Sequence, residues 1–179
     1  MSDFIHGGGG AGFNRTREFY GVQDYQDTAT AGSPVALVLA DTWYDLPNDG
    51  LGPLSSQDQA VLGHGAIFNT STGEFDFSDL SIGDMVHFRF DVEFTTTSPN
   101  TDVRMRLAFG PAFVFTLPFQ KTPHRDTVSG DDGREVRYFA FQMKTAATID
   151  NPAKFQVLSD STGDSVIVNG WQIETTLLT

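Results

Sequence analysis

Cysteine is absent from the 179 residues, which excludes a disulfide framework and any thiolate metal site. Lysine is nearly absent: Lys121, Lys144 and Lys154 stand alone, and 11 basic residues against 23 acidic ones leave a formal charge of −12. Nucleic-acid binding draws most of its free energy from cations that displace phosphate counterions, so it needs a basic stripe. None is present, and the same deficit argues against an anionic membrane surface. Long apolar runs are missing too. The longest, Val35–Ala40, is far short of the roughly 20 residues of a spanning helix. The opening MSDFIHGGGG lacks the basic and apolar regions of a signal peptide, so no export is expected. Helical periodicity is scarce, with one short turn over Ser55–Leu62 as the candidate, and no solenoid or fibre-shaft repeat occurs.

What is present is ordinary globular composition, 39% hydrophobic and 19% charged, in a chain long enough to bury about 70% of its unfolded surface. Residues 1–26 differ from the rest. They hold a glycine run and then Phe13, Phe19, Tyr20 and Tyr25 among polar residues, with neither alternation nor helical period. We read them as an extended arm with aromatic anchors, and residues 27–179 as one domain. In that domain short apolar runs are separated by turn clusters such as Pro47-Asn48-Asp49-Gly50 and Ser161-Thr162-Gly163-Asp164, the punctuation of a β-sandwich or barrel.

The clearest strand is Met85–Phe94, with Val86, Phe88, Phe90, Val92 and Phe94 on one side and His87, Arg89, Asp91 and Glu93 on the other. Val103–Phe109 alternates likewise after Ser98-Pro99-Asn100. A hairpin of the two sets Phe94 opposite Val103, Glu93 opposite Arg104 and Asp91 opposite Arg106. Such charge pairs add about 0.2–1 kcal/mol each. Further strands are expected at Val35–Leu39, Ala66–Asn69, Phe75–Phe77, Phe113–Leu117, Val136–Met143, Phe155–Leu158 and Val166–Ile173. So many antiparallel strands predict an all-β jelly-roll sandwich.

Chemistry-bearing motifs fail on context. The stretch His6–Phe13, HGGGGAGF, matches a lipase oxyanion loop, but no G-x-S-x-G elbow accompanies it. Gly7, Gly9 and Gly12 also spell a dinucleotide fingerprint, without the preceding strand and following helix that it needs. A slack tether, free in φ and ψ, is the remaining reading. His6, His64, His87 and His124 share no ligand spacing, so no metal site, catalytic residue or cofactor is assigned. Asp131-Asp132-Gly133 and Asp160–Asp164 are turn chemistry rather than calcium loops. Trp43, Tyr44 and Trp171 are either core residues or an aromatic platform for a sugar or a protein.

Asp41-Thr42-Trp43-Tyr44-Asp45-Leu46-Pro47-Asn48-Asp49-Gly50, with Leu80-Ser81-Ile82-Gly83-Asp84 leading into the Val86–Phe94 strand, resembles the trimeric jelly-roll virion proteins of tailed bacteriophages. The shared pattern is a W-x-x-(L/I)-P-N-D turn and an L-x-(I/V)-G-D strand entry, within Pro34–Thr179. This resemblance implies a TNF- or C1q-like fold with an N-terminal arm and a non-enzymatic homotrimer that works by binding. Head decoration (cement) proteins, head fibres and tail-fibre tips share this plan. With no shaft repeat, a decoration protein on the outer capsid surface is expected, made in the host cytoplasm and bound to itself and to the major capsid protein. The expected capsid-binding arm residues are Phe4, Ile5, His6, Phe13, Phe19 and Tyr20. The alternative is a fibre tip or adhesin that holds a glycan or host receptor through Trp43 and Tyr44.

Overall fold

A computed structural model describes residues 17–56, 65–110, 115–118 and 132–178. In chain order the elements are β1 (Arg17–Gln26), α1 (Ala29–Gly32), β2 (Val35–Leu37), β3 (Tyr44–Asp45), β4 (Phe68–Asn69), β5 (Glu74–Phe75) and β6 (Met85–Thr95). There follow β7 (Val103–Phe109), β8 (Phe115–Pro118), β9 (Asp132–Gln142), α2 (Ala146–Ile149), β10 (Ala153–Ser159) and β11 (Asp164–Leu178). One sheet runs β1-β11-β6-β9 with β2 also on β11; the other runs β4-β5-β10-β7-β8 with β3 also on β10. The pairings are antiparallel, and successive elements change sheet from β2 to β3, β5 to β6, β6 to β7, β8 to β9, β9 to β10 and β10 to β11. This is the all-β jelly-roll sandwich.

The expected β6–β7 hairpin does not form. Strand β6 lies between β11 and β9, so Phe94 faces Val166 and Gly133, while β7 lies between β10 and β8, with Val103 facing Ser159. The apolar sides of both strands do face one core, but across the sandwich rather than side by side. Period-two alternation fixes which face is buried and is silent on which sheet a strand joins. The charges are re-paired accordingly. Glu93 faces Arg134, Asp91 accepts two hydrogen bonds from Arg134 at 2.9 and 2.8 Å, and Arg104 turns to Asp102 at 3.0 and 2.9 Å.

Residues 17–26, expected in an arm, form β1 and pair along β11 from Arg17↔Leu178 to Gln26↔Gly170. The inward residues Gly21, Gln23 and Tyr25 are buried, yet they include a glycine and a glutamine, so no apolar alternation marks the strand. Buried polar groups must be satisfied, and here they are. The Tyr25 hydroxyl donates to Gln23 Oε1 at 2.9 Å, and the same oxygen accepts the Ile67 N–H at 2.9 Å. Burial pushes the Tyr25 phenol up to about 12, against a lowering hydrogen bond with the Phe68 N–H.

Between the sheets the interior is aromatic. Phe155 has ring neighbours Phe75, Phe88, Phe90, Phe139 and Trp171 with centres 4.7–6.0 Å apart. All five are edge-to-face pairs, each worth about 0.5–1.5 kcal/mol beyond area burial.

Candidate functional site

Phe4, Ile5, His6 and Phe13 of the expected arm, and His64 and His124, lie outside the described residues. Phe19 and Tyr20 belong to β1, where Phe19 pairs with Thr176. The functional surfaces to consider are therefore the outward faces of the two sheets, since the interior is filled by side chains.

On the β10-centred sheet, Arg106 lies over the Trp43 ring, 4.0 Å from guanidinium carbon to ring centre, a cation–π geometry. Its Nε donates to Gln156 Oε1 at 2.8 Å, and Gln156 Nε2 donates to Asp45 Oδ1 at 2.6 Å. Lys154 completes the row, 3.2 Å from Asp45 and 3.9 Å from Glu74. Tyr44 plays another part: its ring packs against the core, and its hydroxyl accepts the Leu39 N–H at 2.8 Å. The two aromatics thus do different work, one in a charged ladder and one as a strut for a loop.

The two stretches that carry the sequence resemblance are local clamps. Asn48, 2% exposed, donates from Nδ2 to the Tyr25 carbonyl at 2.9 Å and accepts the Gly50 N–H at 2.8 Å. The Asp49 N–H donates to Asp27 Oδ1 at 2.8 Å, which ties the turn to the end of β1. Asp84 accepts the Ser81 N–H at 2.7 Å and the Leu178 N–H at 2.8 Å, which locks the entry of β6 to the end of β11.

The β6-centred sheet shows a more varied outward face. Register places Val22, Glu174, His87 and Ala140 in one row across β1, β11, β6 and β9. The next row holds Asp24, Gln172, Arg89 and Tyr138, and Asp91 and Val136 follow. Asp91 is almost wholly buried at 4% exposure, bonded by Arg134 and Asn169 and 3.2 Å from Arg89. Burial alone would raise its carboxyl; the Arg134 and Asn169 hydrogen bonds and the two arginine charges outweigh it and hold the group low. Asp24 goes the other way, raised by burial against the Arg89 charge and the Gln172 hydrogen bond. Above Ala140 opens a depression of about 290 Å³ walled by His87, Arg89, Tyr138, Gln172 and Glu174. The strand expected at Val136–Met143 overlaps most of β9 (Asp132–Gln142), and alternation alone gives its outward residues no role. The available signal was a tyrosine and an alanine at the solvent-side positions of that strand.

Among the described residues no group of three His, Asp or Glu is arranged to hold a metal ion. In the Asp160–Asp164 turn, Asp164 accepts from Thr97 N–H at 2.7 Å and Ser159 Oγ at 2.5 Å, and Asp160 accepts the Asp102 N–H at 2.9 Å.

No protein-family model matches the chain, and no curated protein matches it by sequence. Among solved structures, the Eiger TNF of S. frugiperda aligns over 89% of this chain and 94% of its own, with a TM-score of 0.53 and 9% identity. The PRD1 vertex protein P5 aligns over 89% of this chain and 73% of its own, with a TM-score of 0.45 and 12% identity. The Eiger likeness, at that identity, is one of fold: a TNF-like jelly roll.

Proposed function

We propose that this protein is a non-enzymatic structural component of a virion, a homotrimeric decoration protein on the outer surface of a tailed-phage capsid. The observation that carries this reading is a TNF-like jelly roll filled to its centre by interlocked rings, which leaves outer faces and the N-terminal segment to act. Trimers bridge neighbouring copies of the major capsid protein, and residues Phe4, Ile5, His6 and Phe13 anchor them to the shell. Binding only the assembled lattice stabilises it by mass action. At −12 per chain the trimers repel one another, but charges are screened beyond about 8 Å at physiological salt, so dense coating is tolerated.

The alternative, an adhesin or fibre tip gripping a glycan through Trp43 and Tyr44, has less support. One face of the Trp43 ring is taken by Arg106, and the Tyr44 hydroxyl is engaged by the chain itself. The test is to offer the purified chain to emptied, expanded capsids of the encoding virus and to whole host cells. Saturable coating of capsids is expected, and removal of residues 1–16 is expected to abolish coating while leaving β1 and the fold in place. Full occupancy by the truncated chain refutes the anchoring role. Binding to cells and not to capsids refutes decoration.

A further inference from the structure

Resting on the decoration role just proposed, we infer that the groove beside the 46–56 loop is where the folded domain grips the capsid subunit, through a segment of that subunit that carries an aliphatic side chain next to a lysine or arginine. The groove encloses about 460 Å³ between the end of β3, the start of β2 and the β4–β5 turn, and Val35, Leu46 and Pro47 give it an apolar lining. Asp49 lies in its wall, and just beyond it the chain presents Leu51 and Leu54 to solvent, 75% and 71% exposed. Val35 lines another side, and Val38 and Leu39 follow it, each 60% exposed. The two leucines of the loop are held outward by their own backbone. The Leu51 N–H donates to Asp49 Oδ1 at 3.0 Å, the Gly52 N–H to the Gln26 carbonyl at 2.9 Å and the Leu54 N–H to Gln26 Oε1 at 3.2 Å. The loop is thus fastened to the end of β1. Apolar side chains grouped around a polar-rimmed groove mark an interaction surface, and fixing them beforehand lowers the ordering cost of binding.

Charge selects the occupant. The carboxylates at the groove are Asp45, Asp49 and Glu74, with Asp27 behind Asp49; the cations are Lys154 and, across Gln156 from Asp45, Arg106. Four acids less two cations leave the groove negative by two. Burial works to raise the Asp49 carboxyl, and hydrogen bonds from Thr28 and Leu51 outweigh it and hold the group low. The Asp45 side chain is 51% exposed, open to a further cation. A second copy of this chain, with a formal charge of −12 and three lysines, brings like charge to such a groove and is repelled. Among the described residues no aromatic ring lines the groove to stack a sugar. An aliphatic and basic protein segment satisfies both the lining and the field. In the proposed role that segment belongs to the capsid subunit, and the groove and the N-terminal segment then act as two linked contacts whose strengths multiply.

The test titrates the full chain onto emptied, expanded capsids of the encoding virus and footprints the bound form with hydroxyl radicals. Leu51→Ser together with Leu54→Ser is expected to weaken coating at least ~10-fold. Ser71→Lys, which sets a cation at the mouth of the groove, is expected to weaken it as well, with a loss that shrinks as salt is raised. Ile82→Ser removes an equally bare aliphatic, 61% exposed, at the entry of β6, and should coat as the wild type does. All four altered positions are exposed, so the far-UV circular dichroism spectrum should not change. Leu51 and Leu54 should be reactive in the free chain and protected on capsids. Wild-type coating by the leucine and Ser71 variants, with both leucines still reactive, overturns the groove and leaves decoration standing. An equal loss in Ile82→Ser, or protection of the leucines in the free chain that grows with its concentration, overturns the assignment to the capsid subunit. A wild-type chain that coats no capsid removes the decoration role, and this contact with it.

Discussion

The interior around Phe155 and the clamp around the end of β1 are both buried, yet they are held by different forces. Phe155 is 1% exposed and meets rings on every side, so its contribution is non-directional and tolerates small changes of angle. At the clamp, Asn48, Asp27 and Gln23 are also buried, but each side chain is committed to named backbone or hydroxyl partners. Rings supply depth of stability. The polar pins supply register: they decide where β1 ends and how the turn after β3 lies on it. Gly170 marks how close that approach is, because a Cβ there would run into the Tyr25 carbonyl.

The largest effect expected from breaking this contrast lies in the rings. Phe155→Ala should lower the unfolding free energy by about 3–5 kcal/mol, the range for a large core aromatic cut to alanine. Phe155→Leu should cost much less, because it restores most of the volume. Denaturant titration of both variants checks this. Equal losses in the two would mean that ring geometry, and not filled space, is what this region supplies.

A smaller loss is expected at the clamp. Asn48→Ala strips a donor from the Tyr25 carbonyl and an acceptor from the Gly50 N–H, and a buried group left unpaired costs about 1–3 kcal/mol. The distinguishing readout is local. Amide exchange should accelerate in β1 and residues 48–56 while β6 and β7 keep their protection. Uniform acceleration would erase the distinction between pins and rings.

The same division explains what was legible in the sequence. Apolar alternation announces β6, β7, most of β9 and much of β11, because each presents a dry face of Phe, Val, Leu or Ile. It does not announce β1, whose inward set of Gly21, Gln23 and Tyr25 is satisfied by hydrogen bonds that form only after folding. Nor does it choose partners, and so β6 and β7 read as a hairpin although they face each other across the core. The motif Trp43–Asp49 was visible as a pattern. Its roles were not, because the Arg106 stack, the Tyr44 strut and the Asn48 clamp each join residues far apart in the chain. The depression over Ala140 was hidden for the same reason: its walls come from β6, β9 and β11.

The smallest effect separates two carboxylates on one outward face. Asp91 has its folded pKa below the unfolded value of about 3.9. Its stabilisation is complete above that unfolded value and is lost as pH falls through the folded one. Asp24 has its folded pKa raised, so it disfavours the fold as pH rises from the unfolded value through the folded one. Unfolding free energy measured across the acid range should respond oppositely to removing each charge. Asp91→Asn should flatten the loss of stability on acidification, because less remains to be protonated. Asp24→Asn should leave the neutral-pH stability equal or slightly higher and steepen the rise above about pH 4, since an opposing titration is gone. The Gln172 side chain can still donate to an asparagine oxygen there, so the contact itself is kept. If both variants shift the slope in the same direction, burial and the arginine web do not divide these two acids as their surroundings indicate.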